Sequence, residues 1–467
     1  MNQPAAQATP PSSAPLPSID QASTAHRLLA QILFALGITG DAGPKSSNWQ
    51  ALRHPGFRWY FAGSVTSNFG TWLQNTAQVV LAYQLTHRVL AVGLVTCAQF
   101  TSPLLLGPWA AVLTHRMGNW RALMATQIGA TGIAAFLTAL EFSGSLTIHW
   151  LYGCALGIGL AFTFALPAMS VMVTGLFADE QDHRKRAQDI KRAMAMDSVS
   201  YNLGRALAPL ISVLIFSTIG FGWAFLLNAV TYFLFIVVLV RLRPRKAQQA
   251  PGHSRVMNGL RIALNEPRIM VLLLMVAAVT VAADPILVLG PAMAGRIFHS
   301  NADWSGVFIA ALGAGNVVGS FRRPRRRSPS IRRAATVLAM LALAMMIFSA
   351  APWLWLSVTA AFAVGMACLM AGALTRSLLI ECAGATEKRQ AAVMAAWAVA
   401  WAGSKPIASL VDGSLAGWIG VRTTGVLLAA PALLPALVLV LLPVVEQPWG
   451  PARFFTWLAD AKGPAKA

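Results

Sequence analysis

Residues 269–293 read IMVLLLMVAAVTVAADPILVLGPAM, a run of 25 residues in which Asp284 is the only charge. As an α-helix it would be about 37 Å long at 1.5 Å per residue, enough to cross a hydrocarbon core of about 30 Å. Backbone N–H and C=O groups in lipid must be satisfied within the segment, so a helix is the element expected there. Comparable runs recur on either side. Before it they cover 57–85, 90–113, 122–142, 150–177, 193–219 and 222–240; after it, 304–321, 334–351, 353–379, 391–411 and 421–442. The expectation is an all-α membrane protein with twelve transmembrane helices.

Composition agrees with that expectation. Of the 467 residues 56% are hydrophobic and only 11% charged, against about a quarter charged in a soluble domain. The formal charge of +20 raises nucleic acid as a partner, but the positions of the bases argue against it. In an alternating topology 31 of the 36 Lys and Arg fall on one side, and only Arg88, Arg296 and Arg422 fall on the other. That bias places both termini in the cytoplasm of a multi-pass protein of the inner membrane. The Arg322 to Arg333 run is then a cytoplasmic loop suited to anionic lipid. Cys97, Cys154, Cys368 and Cys382 form no metal-ligand spacing and read as small core residues. Neither a metal nor a cofactor is expected.

The organisation along the chain follows. Residues 1–51 form a Pro/Ala/Ser-rich tail, disordered or lying at the membrane interface, whose apolar segment Leu28 to Leu33 is too short to span. A six-helix bundle at 52–240 precedes a cytoplasmic linker at 241–268. A second six-helix bundle occupies 269–445, and 446–467 is a cytoplasmic tail. Ser217-Thr218-Ile219-Gly220 and Gly417-Trp418-Ile419-Gly420 lie 200 residues apart, and the same shift carries Arg205 onto Lys405. The two halves therefore read as pseudo-repeats.

Several stretches resemble the major facilitator superfamily, in its transmembrane secretion effector branch, which includes the enterobactin exporter. They are Leu52-Arg53-His54-Pro55-Gly56-Phe57-Arg58, Ser67 to Gln74, Asn202-Leu203-Gly204-Arg205-Ala206-Leu207-Ala208-Pro209, Trp223 to Asn228, and Gly259-Leu260-Arg261 with Pro267. The resemblance implies the major facilitator fold, a monomer, and transport rather than enzymatic work. It also implies gating roles for Gly107, Arg116 and Pro209. Two departures stand out. His115 and Asn119-Trp120 replace the acidic and basic positions of the motif between spans two and three, and Ala208 and Ser212 replace glycines of the antiporter motif.

Candidate site residues come from polar groups that lipid would not tolerate. Ser64, Asn68, Thr71, Asn75 and Gln78 share one helical face. They read either as a cavity wall or as hydrogen bonds between helices. With them go Asn202, Arg205, Trp397, Trp401 and Lys405 as a substrate cavity. Arg205 could hold an anionic substrate group or a cavity carboxylate; its bland alternative is a structural pair with a carbonyl or Asp197. Trp397 and Trp401 suit stacking on a flat substrate or a cation-π contact with Lys405, or plain packing. Asp284, with Arg205, is the proton-coupling candidate, since an intramembrane carboxylate marks ion pathways; a neutral or Arg-paired residue at a proline kink is the alternative. Asp412 and Glu141 end their spans and read as solvated. Gly153, Gly157, Gly159, Gly313, Gly315 and Gly319 read as packing or hinge positions.

No Walker-type phosphate loop is present, and the Asp179 to His183 loop beside basic residues does not read as a catalytic cluster. The leading expectation is a proton-coupled exporter of a small hydrophobic or amphiphilic molecule, such as an antibiotic, siderophore or other metabolite. A proton-coupled importer is the alternative, and a membrane enzyme or non-transporting sensor is less favoured.

Overall fold

The computed structural model describes residues 48–242, 253–301, 303–321, 329–384 and 386–441, and among these no strand occurs. The proposed apolar segment at 28–33 and both ends of the chain lie outside them. A 3-10 turn, Asn48–Arg53, leads into α1 (Pro55–Thr86), α2 (Val89–Met117), α3 (Asn119–Phe142), α4 (Ile148–Leu176), α5 (His183–Thr218) and α6 (Phe221–Arg241). An amphipathic helix, α7 (His253–Asn265), precedes α8 (Pro267–Ala283) and α9 (Pro285–Ala292). A π turn at Met293–Ile297 is followed by α10 (Trp304–Phe321), α11 (Ile331–Ala350), α12 (Leu354–Ala383), α13 (Glu387–Trp418) and α14 (Val421–Leu441).

Seven of these segments are long and apolar enough by themselves to cross a membrane. The helices that fall short, α1, α5, α10, α13 and α14, hold the other five expected spans. Four of them carry the polar candidates or cavity residues described below. In α1 and α13 the lower hydropathy follows from polar side chains presented to other helices rather than to lipid, whereas α10, α14 and the Leu203–Thr218 part of α5 are apolar over shorter described stretches.

Local chemistry sets the ends of the helices. Pro55 and Pro267 stand at first-turn positions, where no N–H is needed. His54 Nδ1 accepts from the N–H of Phe57 at 3.3 Å, and the Asp182 carboxylate caps α5 through the N–H groups of Arg184 and Lys185. Gly220 (φ +100°) and Gly420 (φ +86°) make the sharp entries to α6 and α14, a left-handed conformation that glycine adopts without steric cost. Phe221–Arg241 and Val421–Leu441 each begin directly after one of these glycines.

Three details refine the sequence expectations. The run at 269–293 is not one regular helix: it stops at Asp284, because Pro285 supplies no N–H for the carbonyl a turn earlier, and it ends in the π turn. Part of the expected linker, His253–Asn265, is helical and packs along α13, with Gly259 against the Ala392 carbonyl. Residues 48–51 of the expected tail are ordered, with Ala51 buried beside α5.

The two groups of helices meet chiefly through α2 on α13 and α5 on α10. Toward the face carrying Arg88, Arg296 and Arg422, backbones come into direct contact. A Cβ on Gly93 would lie 2.3 Å from the Ser409 carbonyl oxygen, and one on Gly413 would lie 2.8 Å from Leu90 Cα. Gly306 instead makes room for the Val213 side chain, whose Cγ2 would lie 1.8 Å from an added Cβ. Gln84 donates to Asp303 at 2.9 Å, while Arg296 donates to the His87 carbonyl and lies over Tyr83. These contacts seal the molecule at its charge-poor face.

Candidate functional site: a cavity ending in a buried charge cluster

Two cavities lie among the helices, and Tyr201 lines both. The smaller, about 300 Å³, is enclosed by α1 to α6 and lined by Asn68, Thr71, Asn75, Gln99, Gln127 and Asp197 among others. The larger, about 920 Å³, lies between α5 and the later helices and reaches the exposed residues Arg376, Ser377 and Ile380 toward the arginine-rich face. Arg205, Arg333 and Arg376 line it and no Asp or Glu does, while Trp397, Trp401 and Met370 supply apolar surface.

The α1 stripe is both cavity wall and helix-to-helix glue. Asn68 donates to Ser200 at 2.8 Å and to Ser64 at 3.3 Å, and Ser64 donates to Asp197 at 3.1 Å. Thr71 and the Tyr232 hydroxyl lie 2.9 Å apart, and Gln99 donates to Asn75 at 3.0 Å. Asn68, Thr71 and Asn75 nevertheless line the smaller cavity. Gln78 is buried elsewhere, with its Nε2 lacking a partner. Asn202 lies on α5, next to Tyr201 and three residues before Arg205.

Arg205 pairs with an aromatic ring rather than a carboxylate. Its guanidinium lies 5.5 Å from the Trp72 ring centroid, and Trp72 meets Tyr201 edge to face at 5.7 Å. Asp197, the alternative partner, is instead held by Ser64. A guanidinium on an aromatic face keeps its hydrogen-bond donors available for an anion.

Lys405 is the deeper cation, only 7% exposed, with its ammonium 4.3 Å from the Phe100 centroid and 4.7 Å from that of Trp401. Trp397 and Trp401 stack nearly parallel, 9° between planes and 6.2 Å between centroids. Arg376 covers the other end at 5.2 Å from Trp397. The Lys405–Trp401 contact is one of the alternatives the sequence left open, and the Arg376 contact is not among them. Asn316, buried and with neither side-chain polar atom bonded among the described residues, also lines the larger cavity and was not anticipated.

Asp284 sits at the helix break, 5% exposed, and close enough to Lys405 and Arg205 for direct Coulombic attraction. Ser409 Oγ lies 2.7 Å from Asp284 Oδ2 and 2.8 Å from the Lys405 carbonyl oxygen. Its single proton has two acceptors, so the hydroxyl can reorient as Asp284 gains or loses a proton. Asp412 is a correction: α13 continues to Trp418, and Asp412 is fully buried rather than solvated. Lys405, Ser409 and Asp412 share one helical face by their spacing of four and three, a pattern the sequence already contained.

The gating candidates fall apart from this cluster. Gly107 and Arg116 are exposed near the arginine-rich end of α2, and no atom lies within 4 Å of a Cβ built on Gly107. Pro209 is buried in α5, its carbonyl against Gly306 of α10. Of the glycines, Gly159, Gly313, Gly315 and Gly319 admit backbone contact, whereas Gly153 faces open space.

Comparison with known proteins places this arrangement. No curated protein matches the sequence. Among solved structures, a bacterial homologue of the human lysosomal transporter Spinster, inward-facing and unoccupied, aligns with TM-score 0.58 and 14% identity, over 83% of this chain and 95% of that one. The nucleoside transporter NupG aligns with TM-score 0.66 and 9% identity, over 82% and 99%. A POT family transporter in complex with 5-aminolevulinic acid gives 0.59 and 13%, over 83% and 95%. At these identities the likeness is one of fold. The family described as transmembrane secretion effector matches residues 46–449. With helices that cross a membrane and transporters as its structural neighbours, the chain belongs to the transmembrane secretion effector family of major facilitator transporters.

Proposed function

We propose that this protein is a proton-coupled secondary transporter that exports a small, flat, amphiphilic molecule by alternating access. In this reading twelve spans form two pseudo-repeated halves, 52–240 and 269–445, in the inner membrane, with both termini and the arginine-rich loops in the cytoplasm. One observation carries the reading. The buried cluster of Arg205, Asp284 and Lys405 stands where the larger cavity ends and the seal between α2 and α13 begins.

A group at that junction senses both the cavity and the state of the seal. Protonating Asp284 removes the anion that Lys405 and Arg205 answer, which alters both the cavity charge and the contacts of the broken helix. Trp397 and Trp401 offer a flat apolar face to substrate. The name of the family, secretion effector, supports export.

A second reading has one observation in its favour. Because the Asp284 carboxylate itself lies beside the two cations, protonating it would free them for an anionic substrate, so that proton and anion travel together, as in an importer. Reconstitution into proteoliposomes with an imposed pH gradient separates the two. Ethidium and 1-naphthalenesulfonate are flat probes of opposite charge. Export by exchange predicts that a probe moves against the proton flux; cotransport predicts that the sulfonate moves with it. Movement of both probes without regard to the gradient would overturn proton coupling.

A further inference from the structure

Asp412 has no solvent exposure, and neither carboxylate oxygen has a hydrogen-bond partner among the described residues. Every other part of the cluster is answered: Asp284 by Ser409, Lys405 by two aromatic rings, and Arg205 by Trp72. A bare carboxylate anion there would lack any donor and would face a second carboxylate, Asp284, the one ionisable group that acts on it directly. Beyond Asp284 lie Lys405, Arg205 and the Cys368 thiol of α12. On the α2 side the contacts are apolar and backbone: Val89 and Leu90 against Gly413, and Gly93 against the Ser409 carbonyl. Asp412 therefore sits directly beneath the seal, one residue from a glycine that forms it.

We propose that Asp412 is a second proton-carrying carboxyl group, paired with Asp284, and that it holds the proton while the α2–α13 seal is shut. The inference rests on the reading of Asp284 as the proton-coupling residue. In the sealed state Asp284 is the anion beside Lys405 and Arg205, and Asp412 is the neutral acid. Parting of α2 from α13 admits water from the charge-poor face to Asp412. There its O–H bond breaks, with the proton passing to water, or forms again from that water. Transfer within the pair breaks an O–H bond at one carboxyl and forms one at the other, leaving the charge of the cluster unchanged.

Infrared spectroscopy of the full chain in liposomes at neutral pH tests this without a transported molecule. The C=O stretch of protonated carboxyl groups is compared for wild type, Asp412→Asn, Asp412→Glu and Asp284→Asn. The expected result is a band that Asp412→Asn removes, Asp412→Glu shifts and Asp284→Asn leaves in place. A band unaltered in Asp412→Asn overturns the proposal, and Asp412→Asn is close in shape to the neutral acid, so the fold is kept. With ethidium and 1-naphthalenesulfonate as probes and trapped pyranine reporting pH, Asp412→Asn should lose proton movement by about 100-fold while exchange of the probe at equal pH persists, and Asp412→Glu should restore it. If Asp284→Asn uncouples and Asp412→Asn does not, this inference alone fails. If neither wild type nor Asp284→Asn moves protons, the reading of Asp284 fails, and with it the pairing of Asp412 to a coupling site.

Discussion

The cavity among α1 to α6 and the one bounded by α8 to α13 solve the same problem, polar groups within lipid, by different means. In the first, amides and hydroxyls answer one another and the one carboxylate of the lining: Asn68 with Ser200, Asn75 with Gln99, and Ser64 with Asp197 at 3.1 Å. In the second, cations line the space, Arg376 against Trp397 and Arg205 against Trp72, while the Asp284 carboxylate stands at a broken helix outside the lining. Arg205 and Lys405 stand 200 residues apart, yet Asp284, which acts on both, belongs to the later helices with Lys405, while Asp197 in the earlier ones is held by Ser64. The difference teaches that a shared helical register does not confer shared chemistry. Closed hydrogen-bond networks fix geometry, whereas incompletely answered charges leave a site free to respond.

The sharpest way to break that contrast is to neutralise one buried carboxylate on each side, Asp284 behind the larger cavity and Asp197 in the wall of the smaller. Asp284→Asn should reduce proton-coupled flux in proteoliposomes by about 100-fold, while Asp197→Asn, already within a hydroxyl network, should leave flux within a few-fold of wild type. Equal losses would erase the distinction.

Packing should not distinguish the halves. Cβ atoms on Gly159 and Gly315 would meet the Gln99 and Phe362 carbonyl oxygens at 2.0 and 1.9 Å, so Gly159→Leu and Gly315→Leu should each destabilise by about 1–3 kcal/mol. Thermal unfolding in detergent reads this out, and a large cost in only one half would show that the close contacts are not equivalent.

Arg205→Ala should weaken binding of 1-naphthalenesulfonate about tenfold, near 1.4 kcal/mol, followed by quenching of tryptophan fluorescence. Arg205→Lys should recover only part of it, because an ammonium lacks the planar fork and the stacking surface. The smallest effect belongs to the amide network. Asn75→Ala should lower stability by about 0.6 kcal/mol, in line with single hydrogen bonds between membrane helices, and leave proton movement unchanged.

Much of this site was legible in advance. Arg205, Lys405 and Asp284 stood out because a charge in a hydrophobic run is costly, and the structure brings the three together. The Trp397 and Trp401 spacing led to a stacked pair beside Lys405. Asp412 did not stand out, because the expected span ended at Val411 and placed it near the outer surface, when α13 in fact runs on to Trp418. Trp72, Tyr201 and Asn316 carry no mark in a sequence where polar and aromatic residues are frequent in neighbouring helices.

The sequence by itself determined that the chain is helical and built for a bilayer, and its basic residues carry the expected orientation, because hydropathy and charge bias are sums over consecutive residues. Only the tertiary structure decided which polar groups are answered and which are left bare. That outcome depends on which helix lies opposite, through contacts such as Gly93 on Ser409 and Gly413 on Leu90, between residues more than 300 positions apart. Burial of one side chain is a property of its neighbours in space, and no run of residues along the chain encodes it.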